Sequence, residues 1–151
     1  MINVDDLKKQ VLLQGLPEEE YARLASFLEL RNYQRNATIF KAGDASEGIY
    51  LIKKGRVRIT QKIPGERSRT LVIFREGNFF GDLSVLDNRV HQATATALAE
   101  ADLFLLKFEK LECRTNENLL LSCHILKKLA LIASKNLRLM NKKYLRLGES
   151  F

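Results

Sequence analysis

The residues best suited to chemistry lie between Phe79 and Thr96. The run is Phe79-Phe80-Gly81-Asp82-Leu83-Ser84-Val85-Leu86-Asp87-Asn88-Arg89-Val90-His91-Gln92-Ala93-Thr94-Ala95-Thr96. Two aromatics close a strand. Gly81 and Asp82 then open one turn of helix, over Asp82 to Leu86. A polar loop follows, and after it a small-residue strand in which Ala93, Ala95 and Ala97 alternate with Thr94 and Thr96. A glycine-led helix start beside a loop of amides suits an anion. The first N–H groups of a helix have no partner inside it, and the helix dipole favours negative charge there. The candidate donors are the backbone amides of Gly81, Asp82, Leu83 and Ser84, those of Gln92 and Ala93, and the hydroxyl of Thr94. The stretch reads as a cassette for a phosphate.

Other chemistries find less support. The chain has two histidines, His91 and His124, in different elements. A metal centre in a β-fold needs a cluster of histidines with a carboxylate, so none is expected. Cys123 and His124 are adjacent on a helix and diverge by about 100°, so they do not face one ligand. The expectation is a buried thiol and a surface imidazole. Asp44, Glu76, Asp82 and Asp87 show no spacing that suggests a catalytic pair, and turn or cap duty suits them better. There is no G-x-S-x-G, no P-loop and no H-E-x-x-H, and no enzyme is expected. Cys113 and Cys123 lie ten apart, which fits neither zinc nor redox spacing. They read as reduced thiols of a cytoplasmic protein. No run of 18 apolar residues spans a membrane, and the N-terminus lacks a secretory pattern.

At 151 residues the chain fits one domain able to bury a core without disulfides or metals. Residues 3–14 place Val4, Leu7, Val11 and Leu12 at helical spacing and stop at Gly15. A second helix starts at Pro17-Glu18-Glu19-Glu20, with proline in the first turn and acids at the positive end of the dipole. Its apolar stripe is Tyr21, Leu24, Ala25 and Leu28. From Leu30 the period changes to 2. Strands are predicted at 30–34, 37–41, 48–53, 56–63, 69–75, 92–98 and 102–108, with Pro64-Gly65-Glu66-Arg67 as a hairpin tip. After residue 108 the chain turns helical. Asn116 is a candidate cap for a helix that runs to Leu147.

That last helix has two apolar stripes. Leu119, Leu126, Leu129, Ala133, Leu137, Met140, Tyr144 and Leu147 form one, with a stutter at Ala133. Leu120, Leu121, Ile125 and Ile132 add another. One stripe covers the β-fold and the other a partner helix, so a homodimer is expected; the alternative is one broad stripe folded back on its own domain. The charge is also concentrated there. Residues 114–151 hold eight basic residues and two acids, a net of +6 of the chain's +7. The favoured reading is a solvated helix face. Seven basic residues from Lys127 to Arg146 spread around the helix instead of forming one nucleic-acid-binding stripe.

Two motifs together resemble the cyclic nucleotide-binding domain family. The first is Phe40-Lys41-Ala42-Gly43-Asp44 followed by Gly48-Ile49-Tyr50-Leu51-Ile52-Lys53-Lys54-Gly55-Arg56-Val57-Arg58-Ile59. The second is Phe80-Gly81-Asp82-Leu83-Ser84-Val85-Leu86 followed by His91-Gln92-Ala93-Thr94. The resemblance implies a mainly β fold: an eight-stranded jelly roll (30–108, cassette at 79–96) with N-terminal helices (1–29) and C-terminal helices (109–147), all in one domain of 1–151. It implies cyclic AMP or cyclic GMP as ligand. The helix-turn-helix domain of the bacterial catabolite-activator branch is expected to be absent, since the sequence stops at Phe151.

In the family a glutamate follows the cassette glycine and accepts from the ribose 2′-hydroxyl; here Asp82 stands there. In the family an arginine clamps the cyclic phosphate; here the position is His91, preceded by Val90 instead of the usual proline. Arg89 lies two residues earlier. A neutral imidazole replaces a permanent charge and a planar fork, although a bound anion would favour its protonation. The expected cost is about 1.5–3 kcal/mol, or one to two decades of affinity.

The expected function is therefore a regulatory sensor that binds a cyclic nucleotide weakly, or another small anion, and signals through the C-terminal helix to a partner protein. The alternatives are a non-binding dimerisation or docking module and, behind it, a nucleic-acid-associated regulator. No membrane partner is expected.

Overall fold

A computed structural model describes residues 2–82, 90–111 and 118–149. Helix α1 (Val4–Lys8), a 3-10 turn (Val11–Leu13) and helix α2 (Glu18–Phe27) lead into eight strands. These are β1 (Glu29–Tyr33), β2 (Thr38–Phe40), β3 (Gly48–Lys54), β4 (Val57–Gln61), β5 (Arg69–Phe74), β6 (Phe79–Phe80), β7 (Thr94–Ala97) and β8 (Ala101–Lys107). Short α3 (Phe108–Leu111) and long α4 (Leu119–Glu149) follow. The strands form two four-stranded antiparallel sheets, ordered β1-β8-β3-β6 and β2-β7-β4-β5.

Burial makes this a three-layer structure. β3 is buried through Gly48, Ile49, Tyr50, Leu51 and Ile52 without a polar break, because both faces of its sheet are covered. On one face, Ile49, Leu51, Phe104 and Leu106 pack with Leu7, Leu12, Leu13, Tyr21 and Leu24 of the N-terminal segment and with Leu121, Ile125 and Leu129 of α4. On the other, Tyr50, Ile52, Leu103 and Leu105 pack with Phe40, Val57, Phe80, Ala95 and Ala97. The period-2 geometry of a strand sends successive side chains into these two cores. β4 alternates as its sequence suggests: Val57 and Ile59 are buried, while Arg58 and Thr60 are half-buried.

Turn chemistry sets the register. Glu66 N donates to Ile63 O at 3.0 Å across Pro64-Gly65, and Gly65 has φ +78°. That is the type II arrangement expected for proline followed by glycine. Gly55 ends β3 at φ +100°, and a Cβ added there would lie 2.7 Å from the carbonyl oxygen of Glu100.

The predicted first helix over 3–14 is two pieces. Asn3 caps α1, its Oδ1 accepting from Asp5 N at 2.9 Å, but the helix stops at Lys8. Gln10 turns inward, only 2% exposed, and its Nε2 donates to Ile52 O at 3.0 Å. Val11 N donates to Gly77 O at 3.0 Å. Bonding to the sheet replaces the next helical turn, and Val11 is left exposed. Pro17 sits at the N-cap of α2, just ahead of its first turn.

α4 divides its apolar residues between two environments. Leu121, Ile125 and Leu129 are fully or nearly buried. Leu126, Leu137, Met140, Tyr144 and Leu147 of the longer stripe are exposed. Cys123 and His124 reverse the expectation. Cys123 is exposed and His124 is half-buried, its ring against Gly15. The cause is the turn after the 3-10 segment, which covers the His124 side of the helix. Cys113 and Asn116 lie outside the described residues. Among the described residues no helix is long and apolar enough to cross a membrane, and no group of histidines, cysteines and carboxylates could hold a metal.

Candidate functional site

A cavity of about 460 Å³ opens between the β6 end of the cassette and the β4–β5 hairpin. Its apolar wall is Phe40, Ile59, Leu71, Val72, Phe74 and Phe80. Gly81, Asp82, Val90, His91, Gln92, Ala93 and Gln61 complete the lining.

The two sequence motifs meet here. The Lys41-Ala42-Gly43-Asp44 turn is closed by Asp44, whose Oδ2 accepts from Lys41 N at 2.8 Å. His91 N donates to Asp44 O at 2.9 Å, and Gly43 N donates to His91 O at 2.8 Å. An Ala45–Val90 bridge extends the pairing. The early glycine turn thus fixes the backbone at the cassette's exit.

His91 is 3% exposed. Its ring stacks face to face on Phe40, with centroids 3.6 Å apart and planes 6° from parallel. Phe40 in turn lies 5.9 Å from Phe80, which stacks on Tyr50 at 5.2 Å. Gly81, at φ +83°, makes room for this cluster: a Cβ there would sit 3.7 Å from His91 Cε1 and 3.3 Å from Gly48 O. Burial lowers the His91 pKa from its usual value, while Asp44 and Glu47 pull it up more weakly. The ring is therefore neutral at pH 7, with one donor and one acceptor.

Of the residues expected to bind ligand, Phe80, Gly81, Asp82, His91, Gln92 and Ala93 line the cavity together. Leu83, Ser84 and Arg89 lie outside the described residues. Thr94 is not in the lining. On β7, Ala95 and Ala97 face the core and Thr94 faces the other way, where its Oγ1 accepts from Ala42 N at 3.1 Å. It braces the glycine turn. Sequence reasoning missed Phe40, Ile59, Gln61, Leu71, Val72, Phe74 and Val90 as lining residues. The available signal was the unbroken apolar run Leu71-Val72-Ile73-Phe74, which is unusual for a strand whose residues are mostly exposed.

The buried imidazoles make stability depend on pH. His124 is also held below its usual pKa, by burial first and by Lys128 second. Unfolded histidines titrate near 6.5. Below that value the unfolded chain binds more protons than the folded one, so stability is full above about pH 6.5 and declines as pH falls. The midpoint of thermal unfolding at pH 5.5 should lie below that at pH 7.5. His91→Phe, which keeps the stack, should narrow the gap. An equal midpoint at both pH values would contradict this.

A family model described as the cyclic nucleotide-binding domain matches residues 30–113. The cyclic AMP receptor protein of Thermus thermophilus is 33% identical over 100 residues, which are 66% of this chain and 46% of that protein. The chain thus spans less than half the length of that relative. The crystal structure of the Thermus thermophilus catabolite activator protein superposes with a TM-score of 0.76 at 27% identity, over 92% of this chain and 63% of that one. The N-terminal domain of a transcriptional regulator from Streptomyces coelicolor superposes with a TM-score of 0.75 at 26% identity, over 87% of this chain and 94% of that one.

Proposed function

The chain belongs to the cyclic nucleotide-binding domain family, and from that premise we propose that it is a regulatory sensor module. Its cavity takes a cyclic nucleotide weakly, or a related small ligand, and occupancy is passed to α4 and a partner. The observation that carries this reading is the 460 Å³ cavity walled by the cassette residues Phe80, Gly81, Asp82, His91, Gln92 and Ala93. Its size suits a small organic ligand, and its balance of apolar wall and few polar groups is typical of such sites. The Thermus relative, whose name records cyclic AMP, supports the ligand class.

Weak binding follows from His91. Without the arginine, one charge-assisted contact is missing, which costs one to two decades of affinity. His91 also favours a second reading, in which the fold serves only as a dimerisation or docking module.

Thermal unfolding with cyclic AMP, cyclic GMP and their parent nucleosides separates the two. A ligand that binds only the folded state raises its stability by about 2.7 kcal/mol at a hundred times its Kd. A rise with any of the four, and a cyclic nucleotide Kd weaker than low micromolar by calorimetry, is the expected outcome. No response to any of the four at millimolar concentration would leave the docking module as the function.

A further inference from the structure

We propose that the chain has a second ligand site, for a small zwitterion of the amino-acid class, where the N-terminal segment meets the turn between β5 and β6. It is separate from the cassette cavity and does not rest on the sensor reading.

The site is a cavity of about 230 Å³ lined by Asp6, Lys9, Gln10, Lys53, Glu76 and Gly77. That is below the roughly 300–1,000 Å³ of sites for drug-sized ligands, so its occupant is small. Four segments meet here: α1, the break that follows it, the end of β3 and the β5–β6 turn. Three observations set the chemistry. First, Gln10 is 2% exposed, and its Oε1 is buried with no hydrogen-bond partner among the described residues. The orientation of this carboxamide is fixed. Ile52 O accepts from Gln10 Nε2 at 3.0 Å and from Gly77 N at 2.9 Å, so the flipped amide would set one carbonyl against another. A buried acceptor without a donor costs free energy, and an N–H group of a ligand would satisfy it. Second, the Asp6 carboxylate is loosely held. Its Oδ1 lies 4.0 Å from Lys9 Nζ and its Oδ2 3.8 Å from Lys53 Nζ, both beyond hydrogen-bond reach. A ligand ammonium can take the carboxylate at closer range, and a ligand carboxylate can take the lysines. Third, the charges are graded in depth. The Asp6, Lys53 and Lys9 side chains are 25%, 34% and 76% exposed. Gln10 and Asp6 thus offer acceptors inside, and the lysines offer donors toward the mouth. Glu76 is exposed and accepts from Gly55 N at 3.3 Å. This order points an ammonium inward and a carboxylate outward, and an α-amino acid carries both within a few bonds of each other.

Calorimetry on the full chain at pH 7.5 with glycine, L-alanine, betaine, acetate and methylammonium tests this. Betaine keeps both charges of glycine but has no N–H group, and the last two ions carry one charge each. The expected result is that glycine or L-alanine binds saturably at millimolar concentration or below, and that the other three bind at least ten times more weakly. Lys53→Met should weaken the tighter amino acid tenfold or more while moving the thermal midpoint little, since the ion pair it removes is long and half-exposed. Gln10→Met removes the buried acceptor and should abolish binding; the Lys53 variant decides the matter if the Gln10 variant unfolds. Absence of saturable binding by both amino acids overturns the proposal. Betaine binding as tightly as glycine, or an unchanged affinity in Lys53→Met, overturns it as well.

Discussion

Truncation of Phe80 to alanine is expected to lower the free energy of unfolding by about 3–5 kcal/mol, the range for removing a buried aromatic ring. Phe80 is 2% exposed. It stacks on Tyr50 at 5.2 Å and lies 6.2 Å from Phe74 and 5.9 Å from Phe40, so one truncation leaves three rings facing a void. The neighbours cannot easily collapse into it. Tyr50 is held in β3 by pairing on both sides, to Leu105 of β8 and to Phe80 of β6. Small domains are stable by about 5–15 kcal/mol, so the variant should sit near the edge of folding. Urea denaturation reads this as a lower midpoint with an unchanged slope. A loss under about 1 kcal/mol would mean that the cluster repacks. Because Phe80 also lines the cavity, ligand-induced stabilisation should vanish together with the stability.

The second large effect concerns assembly. Leu137 and Met140 on α4 are 58% and 65% exposed in the single chain, and Tyr144 and Leu147 continue the line. Their spacing of 3, 4 and 3 residues matches the repeat of a two-stranded coiled-coil seam, so a homodimer through this face is expected. Glutamates at both Leu137 and Met140 would put like charges across that seam, next to their symmetry mates. At tens of micromolar, sedimentation should give twice the 17.3 kDa chain mass for the wild type and once that mass for the double variant. The thermal midpoint should also lose its dependence on concentration. A wild-type chain that sediments as a monomer would end the homodimer reading. An unchanged dimer in the double variant would move the contact elsewhere. The core under residues 121–129 is untouched by these changes, so the variant remains folded.

Much of the fold is legible in local patterns. The segment Gly48 to Ile59 announces a hairpin, because its period is 2 and its glycines fall at the ends. The two motifs fix the order of strands around the cavity. What is not legible depends on contacts between distant segments. Leu7, Val11 and Leu12 keep a helical spacing across residues 7–12, yet the helix breaks because Gln10 bonds to Ile52 in the sheet. No local feature announces that bond. Cys123 and His124 sit between two apolar stripes, so periodicity alone does not say which faces the domain. The turn at Gln14-Gly15 decides it, and His124 is covered.

The site divides in the same way. Gly81, Asp82 and His91 follow from position along the cassette. The far wall, Leu71 and Val72, comes from another hairpin and has no motif of its own. The orientation of Thr94 turned on strand phase: it follows Ala93, and the buried partners of that strand are Ala95 and Ala97. The buried state of His91 required Phe40, fifty-one positions earlier.

The sheet β1-β8-β3-β6 has a consequence for how such a protein can change over generations. It is a party wall. Ile49, Leu51, Phe104 and Leu106 belong to the tenant on one side, and Tyr50, Ile52, Leu103 and Leu105 to the tenant on the other. No side chain serves both rooms, so substitutions on opposite sides should add nearly independently. The cavity side is thereby free to change while the helical scaffold stays intact. A library randomised only at the cavity-lining positions of β4 and β5, Ile59, Leu71 and Val72, would vary the cavity without disturbing the mount of α4.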